Sequence, residues 1–172
     1  FDATTRTFSG TPPLGAAGTL SVKLTGSDGS LSVSDTFTIN IAQGNKAPVL
    51  TDKTLAIAMN TSNLYIDPVG AMGSLVTSFI TGITDGDAAD PRGIAITAVD
   101  TTKGTLWFST DGGTTWATVG SVSSSNALLL GADANNRVYF QPNANTPAST
   151  IASAFTLRAW DGTSGTEGSK VD

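Results

Sequence analysis

Thr36-Phe37-Thr38-Ile39-Asn40-Ile41-Ala42-Gln43-Gly44-Asn45-Lys46-Ala47-Pro48-Val49-Leu50 carries two signals in one stretch. Up to Ile41, the apolar Phe37, Ile39 and Ile41 alternate with Thr36, Thr38 and Asn40. A period of two puts each set on its own face of a β-strand. From Ala42 the alternation stops. The polar run 43–48 ends in Pro48, which holds the residue before it extended, and a fresh apolar pattern opens at Val49. The chain therefore reads as two β segments, 1–42 and 49–172, joined by a linker at 43–48.

The alternation extends outward on both sides. Leu20, Val22 and Leu24 share a face within 19–25, and Gly26-Ser27-Asp28-Gly29-Ser30 reads as the turn that follows. The first segment holds too few strands for a whole sandwich and reads as the C-terminal part of a domain. In the second, the strand candidates are 55–59, 94–99, 105–109, 116–119, 127–130, 137–141 and 154–160. Short strands at intervals of about ten residues point to an immunoglobulin-like or cadherin-like sandwich. This second sandwich reads as cut before its last strand. Leu75, Val76, Phe79, Ile80 and Ile83 are spaced by three and four, which fits a short helical turn over one end of the core or a buried strand. The fold class expected is all-β, in tandem sandwiches, and the chain reads as a segment of something longer.

Composition agrees and excludes much. The 172 residues include 27 Thr, 18 Ser and 19 Gly, which suit strand faces and turns. With no His and no Cys, Ser-His-Asp and Cys-His catalysis, disulfides and thiolate metal sites are all excluded. A formal net charge of -5 argues against a nucleic-acid partner, because phosphates call for a basic face. No apolar run is long enough for a membrane span. An enzyme is not expected: the acids sit in Gly-rich turns with nothing to raise a pKa, and no phosphate-binding loop is present.

Acidity is skewed, with Glu167 the only Glu against 13 Asp. Asp bonds its own backbone in turns and brings hard oxygens close to the main chain. In Asp85-Gly86-Asp87-Ala88-Ala89-Asp90, three carboxylates are spaced so that a loop can wrap them round one cation, and Ca²⁺ takes six to eight oxygens at about 2.3–2.6 Å. The plainer reading is an acidic solvated loop. A second motif, Ser109-Thr110-Asp111-Gly112-Gly113-Thr114-Thr115-Trp116, has the Ser-x-Asp-x-Gly-x-Thr-Trp pattern of an Asp-box. It is expected to be a self-bonded hairpin in which Ser109, Asp111, Gly113 and Thr115 tie the loop over Trp116. For Trp107, Trp116 and Trp160, core packing competes with stacking on a sugar.

Phe1-Asp2-Ala3-Thr4-Thr5-Arg6-Thr7-Phe8-Ser9-Gly10-Thr11-Pro12 and Val33-Ser34-Asp35-Thr36-Phe37 resemble the C-terminal half of the cadherin-like, Ig-like repeats of large secreted bacterial surface adhesins of the RTX type. Asn45-Lys46-Ala47-Pro48 is similar to the Asn-Asp-Ala-Pro linker between such repeats. The second segment resembles another repeat through Gly93-Ile94-Ala95-Ile96-Thr97-Ala98-Val99-Asp100, Val138-Tyr139-Phe140-Gln141-Pro142-Asn143 and Leu157-Arg158-Ala159-Trp160-Asp161. The resemblance implies an exported array of repeats with calcium at the joints, its ligands carried over by position as Asn45, Asp85, Asp87 and Asp161, joined here by Asp90. Asp28 takes the later-Asp position of the first domain. Lys46 departs from the pattern, standing where the linker has Asp.

Three functions follow as expectations. The first is a non-catalytic structural or adhesive segment of a cell-surface or secreted adhesin, stiffened by calcium. Its partners are the neighbouring repeats of the same polypeptide and a surface glycan or protein, with self-association through open strand edges. The second is a glycan- or peptide-binding module, marked by an exposed aromatic with convergent polar groups. The third is an accessory domain of a secreted hydrolase.

Overall fold

A computed structural model describes residues 2, 4–13, 15–50, 65–87, 90–144 and 153–172. The strand expected at 55–59 lies outside them. The chain is all-β, without an α-helix among the described residues, and it divides into two units, Phe1–Asn45 and Lys46–Asp172.

The first unit is built on one long hairpin, β1 (Gly18–Ser27) and β2 (Ser32–Ile41), paired antiparallel without a break in register. Its turn is tied by Asp28, whose Oδ1 accepts the backbone N–H groups of Ser30 (2.9 Å) and Leu31 (2.7 Å). Those two bonds, Leu31's foremost, hold the Asp28 carboxyl below its ordinary value. The alternation is as the sequence predicts, but the apolar set is not half-buried throughout: Leu20, Leu24, Val33 and Phe37 are exposed. A two-stranded ribbon presents each face to whatever lies beside it and has no second layer of its own. Phe8 packs edge-on against Phe37, with ring centroids 5.6 Å apart.

The second unit is a sandwich. Its elements are β3 (Val49–Leu50), β4 (Ser74–Leu75), a 3-10 turn (Val76–Ser78), β5 (Ile83–Thr84), β6 (Gly93–Val99), β7 (Gly104–Ser109), β8 (Ala117–Thr118), β9 (Ala127–Gly131), β10 (Arg137–Pro142), β11 (Phe155–Trp160) and β12 (Lys170–Val171). One sheet runs β4-β10-β7-β8, the other β11-β6-β9-β12, and β3 pairs with β5. All pairings are antiparallel.

Why the sheets pack follows from the pleat. In β7 and β10, Leu106, Val138 and Phe140 point inward while Trp107, Tyr139 and Gln141 share the opposite face. The facing sheet contributes Ile94, Ile96, Leu128, Leu130, Phe155 and Leu157, and these side chains form one core between the layers. Burying each large aliphatic there contributes roughly 1.5–3 kcal/mol. The three-and-four spacing after residue 74 resolves into strand β4 and the 3-10 turn. Val76, Phe79 and Ile83 plug the core, and Phe79 meets Phe155 edge-on at 5.9 Å.

Candidate functional site

The loop 109–116 is closed by its own side chains. Ser109, almost fully buried, donates from Oγ to Asp111 Oδ1 (2.8 Å) and accepts the Gly113 N–H (2.9 Å). Asp111 in turn accepts Thr115 N–H (2.9 Å to Oδ1) and the Thr115 hydroxyl (2.7 Å to Oδ2). Bonds to an ionised carboxylate favour the charged form. The Thr115 backbone bond, then its hydroxyl, then Ser109 push the Asp111 carboxyl down to about 2. Gly113 sits at φ +99, and a Cβ there would fall 2.0 Å from the Gly70 carbonyl oxygen, so only glycine fits. Trp116 donates its indole N–H to that same carbonyl (3.1 Å) and packs edge-on against Tyr139. The loop is a self-contained clamp between the hairpin and the 65–72 segment.

The acidic loop is less self-contained. Asp85 Oδ1 accepts the Asp87 N–H (2.9 Å), and Asp90 donates its N–H to the Asp87 carbonyl (3.0 Å). Asp87 Oδ2 accepts the Lys46 N–H. Asp161, buried just beyond β11, accepts both the N–H (3.0 Å) and the hydroxyl (2.8 Å) of Thr163. Desolvation, then the negative charges of Asp87, Asp85 and Asp161, push the Asp90 carboxyl up. These four carboxylates therefore share one electrostatic neighbourhood. Their oxygens are of the kind Ca²⁺ takes. As they stand, no three carboxylates among the described residues converge to hold a metal ion. Asn45, exposed, is the last residue of the first unit.

The three tryptophans differ in what holds them. All are half-buried. Trp160 lies on Gly93, its partner across β11 and β6, where an added Cβ would come 2.7 Å from the ring, and its N–H reaches the Ser164 carbonyl (2.8 Å). Trp116 anchors the clamp described above. Trp107 alone of the three is held by a side chain: its N–H donates to Gln141 Oε1 (3.0 Å), and Gln141 Nε2 donates to Asp67 Oδ1 (3.1 Å). Sequence reading did not single out Gln141 and Asp67 as site residues. Gln141 could have been found from the alternation of β10, which puts it on the face of Tyr139; Asp67 had no signal.

A family model described as "Putative Ig domain" matches residues 1–42. No curated protein and no solved structure matches the chain. The first segment thus reads as part of an Ig-like domain, and the chain as a structural, repeat-type module.

Proposed function

We propose that the chain is a non-catalytic segment of a large secreted or cell-surface adhesin, in which Ig-like repeats follow one another as a stalk. The observation that carries this reading is succession: the Ig-like match ends at residue 42, and a second all-β unit begins at Lys46. The chemistry agrees, since five carboxylates outside the acidic loop are spent on turns. Asp2, Asp28, Asp100, Asp111 and Asp133 each accept backbone N–H groups two to four residues ahead. The neighbouring repeats of the same polypeptide are its first partners.

The proposal extends to calcium at the acidic loop. A divalent cation would offset the desolvation and the repulsion that raise Asp90, drawing the oxygens of Asp85, Asp87, Asp90 and Asp161 inward. The spacer role is tested in the parent polypeptide by replacing this segment with an unrelated β-sandwich pair of equal length. Surface attachment should survive the exchange. Loss of attachment, with export intact, would overturn the spacer reading.

A further inference from the structure

We propose that the outer face of the β4-β10-β7-β8 sheet around Trp107 binds a neutral glycan, with one pyranose ring stacked on the indole. This goes beyond the stalk reading and does not depend on calcium. Cross-strand register places Trp107 between Tyr139 of β10 and Thr118 of β8, with Thr105 opposite Gln141 beside it. On this face Tyr139 is covered: its hydroxyl donates to the Ile66 carbonyl (3.4 Å), and the 65–72 segment passes over it. Trp107 is not covered to that extent and stays half-buried.

What distinguishes this tryptophan is its polar company. A packing tryptophan needs only a carbonyl for its N–H, as Trp116 and Trp160 have. Trp107 instead heads a relay of two side chains, Gln141 and Asp67, which fixes the ring and lines up an amide and a carboxylate beside it. The amide has two N–H donors, one of them given to Asp67, and a carboxylate has acceptor sites for several hydroxyls. An indole face for the C–H surface of a pyranose, flanked by fixed donors and acceptors for its hydroxyls, matches the general form of a ligand site. Charge selects the class. The one ionised group of the relay is a carboxylate and the chain carries a net charge of -5, so acidic glycans are repelled.

The test uses the whole chain titrated with cellohexaose, N-acetylchitohexaose and xylohexaose, read by the indole N–H resonances. The Trp107 resonance should move with at least one of them, and that of Trp160 should stay. Trp107→Ala should weaken binding by about tenfold or more, the loss expected for a central aromatic anchor. Gln141→Leu keeps the ring and removes the relay, so it should weaken binding severalfold with the melting temperature little changed; Trp160→Phe should leave binding as it was. The idea is overturned if no neutral probe shifts Trp107 at millimolar concentration. It is equally overturned if Gln141→Leu and Trp107→Ala bind as tightly as wild type, or if an oligogalacturonate binds more tightly than every neutral probe.

Discussion

Lys46 donates its backbone N–H to the carboxylate of Asp87 while its side chain crosses Gly86, so that a Cβ on Gly86 would come 2.6 Å from Lys46 Cδ. The residue that departs from the linker pattern thus lays a cation over the loop whose acids it departs from helping. Lysine supplies one positive charge where the resembling repeats supply another negative one. Lys46→Asp exchanges the sign beside Asp85 and Asp87. Thermal melts in EDTA should show the variant below wild type, and millimolar Ca²⁺ should raise the variant more than it raises wild type. Equal responses of the two proteins to Ca²⁺ would mean that Lys46 has no part in the balance of charge at this loop.

The calcium reading has its own signature. If the ion binds the folded chain, wild type gains about 2.7 kcal/mol when free calcium stands at about a hundred times Kd. Asp85→Ala should abolish that gain and change little in EDTA. Asp90→Asn works in both directions: without metal it removes a charge that desolvation and its negative neighbours disfavour, and should raise the melting temperature. With calcium it removes a ligand and should lose ground to wild type. Stabilisation by Asp90→Asn of the same size in both conditions would reduce the cluster to a solvated acidic loop.

Asp111 makes stability depend on pH. Its folded value, about 2, lies below the ordinary 3.8, so its contribution is fully present above about 4 and is lost as pH falls toward 2. Asp28 and Asp100 are shifted in the same direction by their own turn bonds. Asp111→Asn should flatten part of the fall in denaturation midpoint measured between pH 5 and pH 2, and lower the midpoint at neutral pH. Midpoint curves for variant and wild type that run parallel through this window would remove Asp111 as its source.

What was legible divides by the distance over which a contact acts. The longer strands of the second unit, β6, β7, β9, β10 and β11, were readable because their patterns are local: in β11, Phe155 and Leu157 face the core, and Thr156 and Arg158 face out. The ties among Ser109, Asp111, Gly113 and Thr115 were readable for the same reason, since those bonds join residues no more than four apart; the bond from Trp116 to the Gly70 carbonyl, 46 residues away, was not. The relay was not. Gln141 lies 34 residues from Trp107 and 74 from Asp67, and no local pattern marks that closure. Alternation also misleads where both faces are covered. Leu128, Leu129 and Leu130 are all buried, because the segment before β12 folds over Leu129, and a Cβ at Gly165 would meet its Cδ1 at 2.4 Å.

The core offers a measure against which surface effects can be scaled. Leu130 is fully buried in β9, in the layer between the two sheets. Truncation to alanine should cost about 2–5 kcal/mol, with the spread set by how far the neighbours collapse. Urea denaturation should show the midpoint fall with an unchanged slope. A loss below about 1 kcal/mol would contradict the two-layer packing at this position.

Gly113 joins two segments that no strand pairing joins. The clamp brings its backbone against Gly70 so closely that the indole of Trp116 and the α-carbon of Gly113 approach the same carbonyl. Gly113→Ala meets two obstacles at once: a φ of +99 that L-residues rarely adopt, and a Cβ 2.0 Å from backbone oxygen, which no rotamer change can relieve. Gly112, also at positive φ but with only the far end of Asn135 near an added Cβ, meets the first obstacle and not the second. Strain of this kind costs of order 1–3 kcal/mol. Gly112→Ala should fall in that range, and Gly113→Ala should exceed it and also shift the indole resonance of Trp116 as the 65–72 segment is pushed away. Equal losses in the two variants, with Trp116 unmoved, would show that the hairpin closes without bearing on that segment.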